Sequence, residues 1–450
     1  MQRDAVLRVD LSAGSVGREP VPERWRRRYL GGKGLGARYL YAELDAGTDP
    51  LGPANRLCFA LGPLSGYLPG ETRYAAVTKS PLTGAFLDSY AGGSFPATLA
   101  GALPDCLGVI VQGAAEEPVS LVIEDGEATL RPATTWGQDT VETADAYPDA
   151  SVACIGPAGE QEVVYATVAS DAGEHHAGRG GVGAVMGSKR LKAVIVRGDP
   201  PEIPEPIAQL REETGAAYAD HATGRWQAAS GTLESVDFAD AVGALATEGW
   251  QAGQFDGSEG VGIAAAREAA VGREHEDERV PGGFRVQTED GKSVPRGAAP
   301  ISLGAGLGID DFDAVAALGA TCDRLGIDVI EAGSVVAWTV LAAEAGLVEE
   351  PVEFGDDEGA RELVERVAKR DDDLADALAE GVAAASARFT EHDDGAHERG
   401  EDALSGEELV PTVKAMSLPG YDPRGAAGMA LAYATSDRGG CHRRARPVEE

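Results

Sequence analysis

Residues 177–196 read AGRGGVGAVMGSKRLKAVIV. The first half is dense in glycine, and the second half ends in an apolar run of the kind that forms a buried strand. The junction Gly187-Ser188-Lys189 imitates a phosphate-binding loop, but the order is Ser-Lys rather than Lys-Ser and the spacing is wrong. The stretch therefore reads as glycine-rich backbone leading into a strand, with Arg179 and Lys189 beside it.

Working outward, the preceding residues are rich in short strand-like runs. VLRVDLSAGSV (6–16) reads as strand, turn, strand. NRLCFALGPL (55–64), RYAAVTKS (73–80), LGVIVQGAA (107–115), VSLVIEDGEATLRPA (119–133), SVACIGPAG (151–159), EVVYATVAS (162–170) and LKAVIVRG (191–198) read as further strands. The Asp125-Gly126 pair inside one of them signals a tight hairpin. GDPPEIPEPIAQ (198–209) holds four prolines and marks a boundary. Beyond it, alanine-rich helical spacing runs through 206–220, 311–325, 329–346, 358–370 and 374–391. Residues 250–300 are polar and weakly periodic, and 391–408 form a charged connection. The expectation is an α+β chain: a β-rich domain over 1–203, then a mainly helical domain over 204–450.

Charge narrows the function classes. The 450 residues carry 74 Asp and Glu against 39 Lys and Arg, a formal net charge of −35. Such a field repels nucleic acid phosphates and anionic membranes, so neither is an expected partner. Acids dispersed over the whole chain suit a solvent where salt screens charge within about 3 Å at 1 M, so we read adaptation to high salt. Surface carboxylates are then weak signals of catalysis. No apolar run is long enough to span a bilayer, and the N-terminal MQRDAVLRVDLSAG carries charge inside its apolar stretch, unlike a signal peptide. Cys58, Cys106, Cys154, Cys322 and Cys441 are far apart and form no CxxC pair. A reducing, cytoplasmic compartment is the simplest expectation.

Two more glycine-rich segments complete the set. LGGKGLGAR (30–38) formally satisfies GxGxxG/A through Gly32, Gly34 and Ala37, but RRRYL rather than an apolar strand precedes it, so the dinucleotide-binding context fails. TKSPLTGAFLDSYAGGSF (78–95) is the third. Arg73, Lys79, Arg179 and Lys189 lie beside glycines that can bring backbone N–H groups to an anion. In so acidic a chain, basic glycine-rich loops point to a phosphate-bearing cofactor. The competing reading is tight strand turns whose cations pair with nearby acids.

The order of these segments resembles the tungsten-dependent aldehyde ferredoxin oxidoreductase family. The matching stretches are YLGGKGLGARYLY, DPLGPANRLCFALGPLSG, RYAAVTKSPLTGAF, AGGSF, IGPAGE, AGRGGVGAVMGSKRLKAVIVRG, DRLGID and PGYDPRGAAGMALAYATSDRGGCH. The likeness is strong over 1–200, weak over 210–300 and good again over 303–346 and 412–442. It implies a tungsten or molybdenum ion held by two pterins with a bridging Mg²⁺, a neighbouring [4Fe–4S] cluster, oxidation of an aldehyde to a carboxylic acid, and electron transfer to ferredoxin or another carrier. It implies a β-rich domain that cradles the pterins beneath two helical domains. By resemblance Arg73 and Arg179 face pterin phosphates, with Lys79, Gly180 and Gly181 beside them. Gly92 and Gly93 lie against the cofactor, and Tyr90 takes the place of a family Asn that gives Mg²⁺ a backbone oxygen. Asp323, Gly326 and Asp328 form a pterin-contacting DxxG turn. His442 is the catalytic candidate near the metal.

The chain also departs from the family pattern. The family's CxxCxxxC falls about where RVPGGFRV (279–286) stands, and Arg279, Gly282 and Gly283 cannot bind cluster iron as thiolates do. The fourth cluster ligand belongs to a DxxGLC motif in a third helical domain, which we expect to be absent here. Two family glutamates align with Ala298 and Ala317, leaving Asp311 and Asp313 as the nearby acids. Three readings stay open: a catalytic pterin-metal oxidoreductase, a non-catalytic cofactor-binding or assembly scaffold, and the front part of a split enzyme whose partner chain supplies the remaining domain.

Overall fold

The computed structural model describes residues 3–391 and 409–444. The charged connection expected at 391–408 lies, from 392 onward, outside the described residues. The protein is α+β and divides into two compact units: residues up to Tyr218 with Asp323–Ile327, and Ala219–Cys322 with the residues from Asp328 onward. The expected boundary at 203/204 falls just before the helix Glu205–Asp220, most of which stays with the first unit.

The first unit is built on twelve strands. In chain order they are β1 Ala5–Asp10, β2 Ser15–Pro20, β3 Leu57–Ala60, β4 Tyr74–Lys79, β5 Phe86–Ala91, β6 Cys106–Gln112, β7 Val119–Glu124, β8 Glu127–Pro132, β9 Ser151–Cys154, β10 Val168–Ser170, β11 His175–Ala177 and β12 Leu191–Val196. They form two six-stranded sheets, ordered β2-β1-β6-β3-β4-β5 and β11-β10-β9-β12-β7-β8. Most neighbours are antiparallel, while β1–β6 and β12–β7 run parallel. The hairpin expected at Asp125-Gly126 is present, with both residues at positive φ, as the favoured two-residue turn requires. Alternation along the strands gives both sheets apolar faces that share one core: Leu7, Phe59, Tyr74, Phe95, Val109, Leu121, Val168 and Val194 are all buried in it.

Two stretches differ from their sequence reading for packing reasons. Gly32–Glu43, expected to be a loop, is a helix that covers the other face of the first sheet with Leu35, Tyr39 and Leu40. A Cβ at Gly36 would come 2.9 Å from the Val77 side chain, so glycine lets the helix lie directly on β4. Tertiary packing overrides the poor helix propensity of glycine. The opening motif behaves alike. Val182–Ser188 is a helix, buried on nearly every side, that follows left-handed Gly180 and Gly181. A Cβ at Gly183 would sit 2.3 Å from the Thr167 carbonyl oxygen, and one at Gly187 would sit 1.8 Å from that of Gly159. These glycines serve backbone-to-backbone packing.

The second unit is mainly helical. Its central helix, Val329–Glu344, is apolar almost throughout and begins at an Asp328 cap, whose carboxylate accepts from the Ile330 N–H at 3.2 Å. Buried Glu331 accepts from the Ser417 N–H at 2.8 Å and the Ser417 hydroxyl at 2.7 Å, tying this helix to the hairpin Thr412–Val413/Met416–Ser417. The region 250–300, which carries little periodicity, folds into short helices (Ser258–Val261 and Ile263–Ala269) and a three-stranded sheet of Ala270–Arg273, Phe284–Thr288 and Gly291–Ser293.

Candidate functional site

In the first unit, an irregular loop at 71–73, the turn after β5 and the turn between β10 and β11 converge. Gly93 stands at φ +80°. The Glu71 carboxylate accepts from Arg73 Nε at 2.6 Å, from the Gly93 N–H at 3.2 Å and pairs with His175 Nδ1 at 2.9 Å. Asp171 accepts from the Ser94 N–H at 2.6 Å and from the Ser94 hydroxyl. Both carboxylates press onto the turn: a Cβ on Gly92 would meet Glu71 Oε1 at 2.0 Å, and one on Gly93 would meet Asp171 Oδ2 at 1.6 Å. Partial burial works to raise the Glu71 pKa, but the hydrogen bond from His175 and the charge of Arg73 outweigh it and hold the carboxyl well below the usual range. The Gly92-Gly93-Ser94 turn thus gathers backbone N–H groups, a hydroxyl, a guanidinium and an imidazole around two of the chain's own carboxylates. A phosphate-bearing group fits this donor set.

A second turn lies in the same unit. The helix Phe312–Leu325 ends at Asp323–Ile327, with Gly326 at φ +72°. The Asp323 backbone carbonyl accepts from the Thr140 hydroxyl at 2.9 Å, and its carboxylate lies 3.3 Å from His176 Nε2. The Gly326 carbonyl accepts from the Thr167 N–H at 2.8 Å. His176 also meets the Thr167 hydroxyl at 2.7 Å through Nδ1. The neighbouring histidines of β11 therefore reach two different turns, His175 the glycine turn and His176 the Asp323 turn.

The remaining candidates are placed as follows. Tyr90 lies on β5, and its hydroxyl donates to buried Asp88 at 2.7 Å. Lys79 is not at the glycine turn: its ammonium donates to the carbonyls of Ala46 at 3.1 Å and Thr48 at 2.6 Å. Lys189 likewise is fully buried and donates to the Gly113 carbonyl at 3.3 Å, and burial pushes its pKa down to about 8. Both ammoniums donate to backbone carbonyls rather than to the nearby acids that the competing reading expected. Arg179 is buried, 6% exposed, in the loop after β11. Gly180 accepts through its carbonyl from the Ser80 hydroxyl at 2.7 Å, and a Cβ at Gly181 would meet the Val164 carbonyl oxygen at 2.0 Å.

In the second unit, Asp328 is the helix cap already described, and His442 is half-buried beside Tyr421, ring centroids 5.9 Å apart. Gly420, next to Tyr421, lines a small hollow with Trp250, Ile301, Ser302, Ala337 and Leu418. Trp250 stands at φ +74° and Glu248 at +45°, an unusual backbone for bulky side chains. Asp311 and Asp313 are exposed, and Asp311 caps its helix by accepting from the Asp313 N–H at 2.8 Å, so neither replaces the acids expected at Ala298 and Ala317. Around Arg279–Gly283 the donors are polar: Arg273 grips the Gly282 carbonyl, and buried Glu274 accepts from Arg296 at 3.0 Å and the Gly283 N–H at 2.8 Å. These residues do not fit a [4Fe–4S] cluster, which needs thiolates. Burial raises the thiols of Cys58, Cys106 and Cys154 to about 12.

Glu71, Asp171, His175 and His176 escaped the sequence reading. The adjacent histidines, in a chain with only seven, were the one available signal.

Two six-stranded sheets that share one core, with a glycine turn holding two carboxylates, make up the β-rich unit, and a mainly helical unit makes up most of the remaining chain. Residues 6–198 match the N-terminal domain of aldehyde ferredoxin oxidoreductase, and residues 209–450 match its domains 2 and 3. The chain belongs to the aldehyde ferredoxin oxidoreductase family. Tungsten-containing aldehyde ferredoxin oxidoreductases of Pyrococcus abyssi and Pyrococcus furiosus are 35% and 36% identical to it, over 97% of this chain and 73% of theirs. The WOR-like subunit of an aliphatic sulfonate oxidoreductase of Pyrococcus furiosus is 34% identical over 44% of this chain and 35% of its own length. Among solved structures, a chain of the active-site complex BamBC of benzoyl coenzyme A reductase superposes with a TM-score of 0.77 at 25% identity, covering 93% of this chain and 66% of that one. Among the described residues, no helix is long and apolar enough to cross a membrane.

Proposed function

We propose that the protein is a tungsten- or molybdenum-pterin oxidoreductase that oxidises an aldehyde to its carboxylic acid and passes two electrons to ferredoxin or another carrier. The observation that carries this reading is the oxyanion-receiving turn at Gly92–Ser94, set in the unit that matches the family's N-terminal domain. When bound, the metal-pterin group supplies the two-electron redox chemistry by which aldehyde and water become acid, two electrons and two protons. Arg73, Arg179 and the Gly92–Gly93 backbone would hold the pterin phosphates. Asp323 and Asp328 would accept hydrogen bonds from pterin ring N–H groups, and the Tyr90 backbone oxygen would face the bridging Mg²⁺. His442 would hold a proton against the substrate oxygen. No electron step is assigned to a [4Fe–4S] cluster, because residues 279–286 supply no thiolate.

A second reading, a cofactor-binding scaffold without catalysis, is favoured by Ala298 and Ala317 standing where acids are expected. Protein purified from a pterin-competent host in high salt decides between the two. Aldehyde-dependent reduction of a viologen dye, abolished by His442→Ala, together with fluorescent oxidised pterin released by acid, supports the oxidoreductase. Released pterin without dye reduction across aliphatic and aromatic aldehydes supports the scaffold.

A further inference from the structure

We propose that Glu71 is a displaceable internal occupant of a phosphate monoester site, holding Arg73, His175 and the Gly93 N–H until the ligand's phosphate takes them over. Those three donors converge on one carboxylate, at 2.6, 2.9 and 3.2 Å, while Ser94 presents its N–H and hydroxyl to Asp171 on the same turn. The Glu71 oxygen lies almost where a side chain on Gly92 would begin, so it occupies the space the paired glycines leave open. A phosphate monoester presents three oxygens and up to two negative charges to the same donors, more than one carboxylate can.

Glu71 has an exit. It sits in the irregular stretch before β4 with its side chain 23% exposed, and its partner Arg73 is half exposed. An intramolecular carboxylate competes at high effective concentration. Phosphate therefore binds against that competition. The Glu71–Arg73 pair is more than a surface ion pair, because it also takes a backbone N–H and a buried histidine from a turn too crowded for any Cβ. The natural ligand's identity rests on the proposed cofactor, whereas the site's preference for phosphate does not.

Calorimetric titration of cofactor-free protein with inorganic phosphate, at one fixed salt concentration and near neutral pH, tests this. Glu71→Gln keeps the side chain's size and removes its charge. It should bind phosphate at least about tenfold more tightly than the unaltered chain, and adding Arg73→Ala should abolish the gain. Equal affinity in Glu71→Gln and the unaltered chain overturns the proposal, as does a gain that survives Arg73→Ala. The melting temperature of each variant without phosphate checks that it is folded. Should Glu71→Gln fail to fold, the unaltered chain decides: saturating phosphate should shift the His175 ring resonances, and unmoved resonances overturn the proposal. Failure here leaves the oxidoreductase reading intact, since pterin content and dye reduction are measured separately.

Discussion

Two glycine pairs in the first unit do opposite work. At Gly181 and on through Gly183 and Gly187, the nearest atoms a side chain would meet are backbone: the carbonyl oxygens of Val164, Thr167 and Gly159. At Gly92–Gly93 the blockers are side chains: the carboxylates of Glu71 and Asp171, with the His175 ring behind the second. Buried backbone cannot move aside without disturbing the core around it, whereas a carboxylate can swing away. The first set packs backbone on backbone, and the second packs a turn under side chains. Glycine content alone cannot distinguish them; the identity of the obstructing atom does.

The largest effect should come from the architectural set. Gly187→Ala forces a methyl into the Gly159 carbonyl oxygen at the heart of the first unit, and a loss of at least about 4 kcal/mol is expected. Thermal melting in high salt, or failure to accumulate folded protein, would register it. A variant that melts within a few degrees of the original would break the contrast.

Gly93→Ala should be milder. It places a non-glycine residue at φ +80°, worth about 1–3 kcal/mol, and pushes Asp171 aside. The protein should stay folded but lose most of its phosphate and pterin binding, which calorimetry and pterin release would both read. Unchanged binding would mean the turn is architecture too.

The smallest effect concerns pH and separates the buried interior from the exposed turn. Cys58 and Cys154 have folded-state pKa values raised by burial to about 12, from an ordinary value of 9.0. The unfolded chain releases those protons first, so the stabilisation is complete below about pH 9 and is lost as pH rises toward 12. Denaturant titrations across that window should show falling stability, and Cys58→Ala with Cys154→Ala should flatten the fall. An identical slope in both proteins would show that other groups govern it.

Much of the β-rich unit was legible because its strands are apolar runs bounded by turn residues, as in Val119–Glu124 and Glu127–Pro132 around Asp125-Gly126. Strand β5 was hidden because FLDSYA mixes polar residues into a buried strand, and β11 because three residues carry no period. The helix Gly32–Glu43 was hidden by its own glycines, whose value appears only against Val77. The candidate site was half visible. Arg73, Gly92 and Gly93 stood out as basic and glycine-rich in an acidic chain. Glu71 and Asp171 did not, because two acids among 74 carry no signal until folding sets them on one turn. Lys79 and Lys189 looked like anion binders because sequence shows the cation but not the carbonyls that receive it.

The proposed function joins a pterin-metal cofactor to a chain whose residues 279–286 supply no cluster thiolate. Elemental analysis of protein from a pterin-competent, high-salt host tests it most directly. About one tungsten or molybdenum per chain with no stoichiometric iron is expected. About four irons per chain with matching acid-labile sulfide, or neither tungsten nor molybdenum, would contradict it.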